Sequence, residues 1–184
     1  MRATEILMEE HQVIVRVLNA LEKMTALIPV GRANPGFFLD AADFIKNFAD
    51  GCHHAKEEGV LFKYMESYGV PVQGGPIGVM LSDHEAGRQF TRQMKAAAEK
   101  WQAGDQSARA DVKTNAEGYI NLLRAHIMKE DNVLFPMADR VVPLEIQPEV
   151  EEKFEFVEHE ETGDGVHEKY LALAEKMEHD VAAL

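Results

Sequence analysis

The chain has 184 residues, 46% of them hydrophobic and 28% charged, a composition that suits a folded globular protein and not a disordered one. Its 32 acids against 19 bases leave a net charge of −13, which repels phosphate backbones and anionic lipid and so disfavours nucleic acid and membrane surfaces as partners. One cysteine, Cys52, excludes an internal disulfide and any zinc site built from several thiolates; no apolar run approaches the ~20 residues of a membrane span.

The start, MRATEILMEEHQVIV, carries acids where a leader peptide needs an apolar core, so the expected compartment is a reducing cytoplasm. A first helix is expected over about 3–28, with Thr4 as N-cap and Leu7, Ile14, Leu18 and Leu21 on one face. Pro29, Gly31, Pro35 and Gly36 end it. A second runs over about 37–67 and stops at Gly69 and Pro71. The stretch from Val70 to Pro76 is too rich in Gly and Pro to be helical. A third covers about 77–103 and ends at Gly104. The fourth starts near Ser107, a candidate N-cap, carries Tyr119, Leu123, Val133 and Met137 on one stripe, and ends by Pro143; Pro136 should kink or loosen its last turns. No segment alternates with period two. The expected fold is all-α: an up-down-up-down four-helix bundle over residues 1–143, then an acidic segment and an additional C-terminal helix over 144–184, packed on the bundle through Leu171, Ala174 and Met177.

The strongest signal is an internal repeat. HHAKEEGVLF, starting at His53, matches HIMKEDNVLF, starting at His126, at six of ten positions. Stepping back 42 residues from His53 lands on His11, and the same step from His126 lands on His84. Each half is therefore a helix with one histidine, a loop, and a helix with His-x-x-x-Glu. Positions i and i+4 share a helix face, so His53 aligns with Glu57 and His126 with Glu130, toward the apolar stripes that also hold His11 and His84. A carboxylate in such a stripe is costly unless paired or coordinated. Four imidazoles and two carboxylates exceed the needs of one tetrahedral zinc and suit two first-row ions, iron among them, sharing bridging carboxylates. Duplication of a hydrogen-bonded structural core would leave the same pattern.

At MEEHQVI, CHHAKEEGVLF, SDHEAGR and HIMKEDNVLFP the sequence resembles the hemerythrin-like HHE cation-binding family over about residues 4–140. The resemblance implies a carboxylate-bridged di-iron centre: His11 and His53 on one iron, His84 and His126 on the other, Glu57 and Glu130 bridging. Oxygen-carrying members place a second histidine one turn after the third-helix histidine, where this chain has Arg88. His167, in the first turn of the C-terminal helix, either fills that ligand position or lies at the surface. His54 is about 100° around the helix from His53 and reads as a supporting or surface residue. His159 and His179, among acids, read as solvated, and Cys52 as a buried structural thiol. Tyr64 and Tyr119 face inward, as donors to a metal-bound oxygen or as ordinary core aromatics. Gly87 leaves space beside His84 for a small ligand or allows close packing.

The resulting expectation is a di-iron protein binding O2 or NO in sensing, iron handling or redox stress, with an unidentified redox partner and with turnover of NO or peroxide left open. The alternative is a structural or interaction bundle stabilised by zinc or another divalent ion, without redox activity. A ferritin-like oxidase is a weaker choice, since that class uses Glu-x-x-His at i, i+3.

Overall fold

A computed structural model describes residues 2–184. Among them there is no strand, and no helix is long and apolar enough to cross a membrane. Helix α1 spans Ala3–Ala26. It opens at Arg2, whose N–H donates to the Glu5 carboxylate at 2.8 Å. Thr4, the expected cap, lies buried inside the first turn and donates its hydroxyl to Asp139 at 2.8 Å. Helix α2 is one continuous rod: α-helical Pro35–Phe44, π-wound Ile45–His54, a second π turn Glu57–Leu61, and α-helical Phe62–Ser67. Asn34 caps it by accepting the Phe37 N–H at 3.0 Å, with Pro35 pre-set in the first turn. Helix α3 spans Pro76–Gln102. Helix α4 runs Arg109–Lys129, a π turn Glu130–Leu134, then Phe135–Val141. Its cap is not Ser107: the Asp105 carboxylate accepts both the Ser107 N–H at 3.0 Å and its hydroxyl at 2.6 Å, and a 3-10 turn over Gln106–Ala108 leads in.

The π turns change the register of the rods. Pro136 has no N–H for the ladder, and the wider turn before it takes up an extra residue, so α4 continues through the proline. The matching turn in α2 has Lys63 at the equivalent place, so proline is not the common cause; each turn instead begins at the glutamate of the repeat. The shift explains a missed residue. Val133, expected on the inner stripe, is exposed, while Leu134 and Phe135 are buried.

The apolar core comes in two blocks. One holds Leu18, Leu21, Phe38, Phe44, Met94 and Trp101 at one end of the bundle; the other holds Leu7, Leu61, Phe62, Met80, Leu134 and Phe135 at the opposite end. On all four helices the repeat histidines fall in sequence between residues of the two blocks. The polar layer is thereby closed off by hydrocarbon on both sides, each large side chain contributing about 1.5–3 kcal/mol by its burial.

The C-terminal segment is helical through its acidic stretch as well. Helix α5 covers Gln147–Phe156 and puts Val150 and Phe154 into the second core block. A π-wound Val157–Gly163 follows, and Gly165, at φ 75°, supplies the left-handed reversal into α6, Val166–Ala182. Helix α6 packs against α1 and α2, with Tyr170, Ala174 and Met177 buried and Leu171 partly so.

Candidate metal centre

The structure brings His11, His53, Glu57, His84, His126 and Glu130 together in the polar layer, each about 1% exposed or less. The two carboxylates lie between two groups of imidazoles. Glu57 turns Oε1 toward His53 Nε2 at 3.6 Å and Oε2 toward His84 Nε2 at 3.4 Å. Glu130 turns Oε2 toward His11 Nε2 at 3.3 Å and Oε1 toward His126 Nε2 at 3.1 Å. Each glutamate thus offers one oxygen to each side. His11, His53, Glu57 and Glu130 each bring a ligand atom within 4.8 Å of the others on one side; His54, Glu57, His84 and His126 do so on the other.

His54 is the residue that the helical-wheel argument missed. It is buried, its ring stacks on His84 at 3.8 Å, and its Nδ1–H donates to Asp50 at 3.3 Å. The 100° argument assumed regular α winding, whereas His53 and His54 end a π-wound stretch of ten residues. No signal in the sequence marked that winding. His167 is elsewhere: its ring lies on Phe48 and it groups with Glu10, Cys52 and Glu158, apart from the six converging residues. Arg88, the departure from the oxygen-carrying pattern noted in the sequence, holds carboxylates, donating to Asp50 at 2.8 Å and to Glu58 at 2.6 Å. Tyr64 points away and donates to Glu149 at 2.6 Å, whereas Tyr119 is buried and its hydroxyl has no partner among the described residues. His159 pairs with Asp164 at the surface, and His179 is exposed.

Every imidazole of the centre is held from behind. His11 donates Nδ1–H to Asp131 at 2.7 Å, His84 to Glu58 at 2.7 Å, His53 to Glu10 at 2.9 Å and His126 to Asp83 at 3.3 Å. These partners obey the repeat: Glu58 and Asp131 are the paired acids of the motif, and Glu10 and Asp83 precede His11 and His84. Lys56 bonds Glu10 at 2.5 Å, and its counterpart Lys129 bonds Asp83. The motif's phenylalanines stack on the opposite histidines, Phe62 on His84 and Phe135 on His11. An Nδ1–H tied to a carboxylate fixes ring and tautomer and aims Nε2 inward, the arrangement of metal-bound histidine.

Inside, the bonding potential is unmet. His11 Nε2, His53 Nε2 and all four oxygens of Glu57 and Glu130 are buried without a hydrogen-bond partner among the described residues. Such atoms cost free energy that a coordinated cation offsets. The protonation pattern reflects the same crowding. Burial and the neighbouring Glu130 push Glu57 well above the usual carboxylate range, while Glu130, despite burial, is held well below it by His11, His126 and His84. Burial also lowers His53 to about 4 and holds His54 well below the usual imidazole range. His11 goes to about 9, because Asp131 and Glu130 outweigh its burial. Behind the rings, burial would raise Glu10 and Asp50, but His53 with Lys56, and His54 with Arg88, hold each near 2. Burial pushes the Cys52 thiol up to about 11, which fits an inert structural cysteine.

The donor set of imidazoles and carboxylates suits iron or other first-row ions, and two ions would satisfy all six orphaned atoms. The family model of the hemerythrin HHE cation binding domain matches residues 2–138. Uncharacterized proteins of Mycobacterium bovis and of two Mycobacterium tuberculosis strains are 29% identical over 163 residues, 88% of this chain. The chain spans only 63% of the length of those relatives. No solved structure matches.

Proposed function

The chain belongs to the hemerythrin HHE cation-binding family, and from that premise we propose that it is a non-haem di-iron protein whose centre binds O2 or NO. The observation that supports this reading is the pair of bridging glutamates: each turns one buried, unpartnered oxygen to each imidazole group. On this reading His11 and His53 hold one ion, and His54, His84 and His126 the other. Iron bound there supplies a ferrous–ferric couple and a position for a diatomic ligand. The residues of the chain do the rest. Glu10, Asp50, Glu58, Asp83 and Asp131 orient the rings, and the two apolar blocks keep bulk water away. Tyr119 lines the cavity that reaches His54 and His84, its hydroxyl without a partner among the described residues. The physiological setting would be gas sensing, iron handling or redox and nitrosative stress, in the cytoplasm.

The zinc-stabilised structural reading is less well supported. Structural metal sites are closed, whereas here a cavity reaches His54 and His84. Anaerobic reconstitution with ferrous iron, followed by metal analysis and absorption spectra with O2 and with NO, tests the proposal. About two irons per chain, with charge-transfer bands that respond to either gas, are expected. A colourless protein that takes up zinc and leaves iron in solution would overturn it.

A further inference from the structure

The cavity that reaches His54 and His84 has a volume of about 280 Å³ and runs between α2, α3 and α4. A water molecule's share of liquid is about 30 Å³, so the space suits roughly nine or ten non-hydrogen atoms, far more than a diatomic gas needs. Its walls are Leu39, Ala42 and Ile45 of α2, Gly87 of α3 and Leu123 of α4. Thr91 also lines it, but its hydroxyl donates to the Gly87 carbonyl at 2.9 Å. The body of the cavity therefore favours hydrocarbon over water.

The rim holds four cations against three acids, an excess of the opposite sign from the molecule. In a chain of net charge −13, four cations, Lys46, Arg88, Arg92 and Lys95, line this one opening. Arg88 is paired with Asp50 and Glu58 and Arg92 with Glu85, Asp83 is held by Lys129 and His126, and Asp43 accepts from the Tyr170 hydroxyl at 3.0 Å, so the two lysines are the cations left to meet an anion. Lys95 has only a 3.9 Å contact with Glu99, and Lys46 has no ion pair among the described residues. Such a spot attracts anions to an otherwise repelling surface. A second feature points to a ligand within. The Tyr119 side chain lines the cavity, is 1% exposed, and its hydroxyl has no acceptor among the described residues. A buried hydroxyl without a partner is costly, and an oxygen on a bound molecule would relieve it.

We propose that this cavity binds a small amphipathic monocarboxylate, its acid group at Lys46 and Lys95, its chain along Leu39, Ile45 and Leu123, and an oxygen on its inner end accepting from Tyr119. The assignment names an organic ligand for the centre described above, and to that extent rests on the di-iron reading; binding itself is measurable without metal.

Octanoate and 8-hydroxyoctanoate are the probes, titrated by calorimetry into the full chain, with and without iron. One site per chain is expected, weakening as salt is raised. The hydroxy acid should bind about 3- to 10-fold more tightly, a preference that Tyr119→Phe erases. Lys46→Ala, at the exposed rim, should weaken both acids several-fold without altering the fold. Gly87→Leu should abolish binding: a Cβ there would meet the Tyr119 ring at 3.5 Å, an ordinary contact, and the rest of the side chain would enter the cavity. No heat from either acid at millimolar concentration would overturn the proposal. So would binding that requires iron but ignores Lys46, since the acid group would then point inward. If iron fails to load while both acids still bind as described, the di-iron reading falls and this one stands.

Discussion

The two halves of the bundle carry the same motif and are used differently. Glu10, His11, His53, Lys56, Glu57 and Glu58 in the first half answer to Asp83, His84, His126, Lys129, Glu130 and Asp131 in the second. The structure gives each pair the same contact: inner carboxylate, ligand-type imidazole, outer acid, and lysine on that acid. Two differences break the symmetry. His54 and Asp50 of the first half correspond to Ile127 and Leu123 of the second, so only one half lends an extra imidazole, and it goes to the other half's group. The C-terminal segment packs mainly on the first half. Lys56 is 1% exposed and also bonds Glu158 at 2.7 Å, whereas Lys129 is 40% exposed; Val60 is buried near α5, whereas Val133 is open to solvent. Duplication thus accounts for a symmetric cage, and a single imidazole plus one appended segment account for its asymmetry.

The comparison can be broken most severely at the bridging glutamates. Glu57→Gln and Glu130→Gln should each cut bound iron from about two per chain to one or fewer by metal analysis, because each carboxylate serves both sides. Retention of both ions would refute the bridging roles. Making the halves alike with His54→Ile should weaken one ion about 100-fold in chelator competition and spare the other. Arg88→Met, which frees Asp50 and Glu58 behind His54 and His84, should cost about 10- to 100-fold at the same ion. The paired lysines sharpen the contrast in stability. Lys56→Met takes the ammonium from buried Glu10, leaving it the His53 N–H alone, and should cost about 3–5 kcal/mol in urea unfolding. Lys129→Met, at the half-exposed counterpart, should cost under about 1 kcal/mol.

Acid should act through the first half as well. Glu10 ionises near 2 in the folded chain against 4.5 for a free side chain. A depressed carboxyl contributes stability that is complete above about pH 4.5 and is lost as pH falls toward 2. Glu10→Gln should flatten the stability–pH curve in that window, and an unchanged slope would remove Glu10 as its source. The smallest effect belongs to His167→Ala, which should leave iron content and spectrum as they are; a shift in either would restore His167 to the centre.

Much of the site was readable before any coordinates. The 73-residue repeat and its 42-residue partner spacing picked out His11, His53, Glu57, His84, His126 and Glu130, which the fold brings together, because side chains that converge from four helices must keep helical phase and that leaves a linear trace. His54 left no such trace, since a π-wound stretch turns fewer degrees per residue than the α-helix on which the reading relied. The outer acids were visible as charges near histidines, but which acid serves which ring was not. Asp131 of α4 bonds His11 of α1, and Glu58 of α2 bonds His84 of α3, contacts that exist only across packed helices.

The amino-acid sequence alone determined that this is an all-α chain with duplicated hairpins and a buried set of imidazoles and carboxylates, because apolar periodicity and breakers act within one helix turn. Tertiary structure decided the rest: His54 in place of His167, Arg88 as a holder of carboxylates, one lysine sealed and its twin exposed, and a cation-rimmed cavity ending at the histidines. Those outcomes depend on which helices adjoin and how tightly each is wound, and residue spacing along one strand of chain does not encode distance between two.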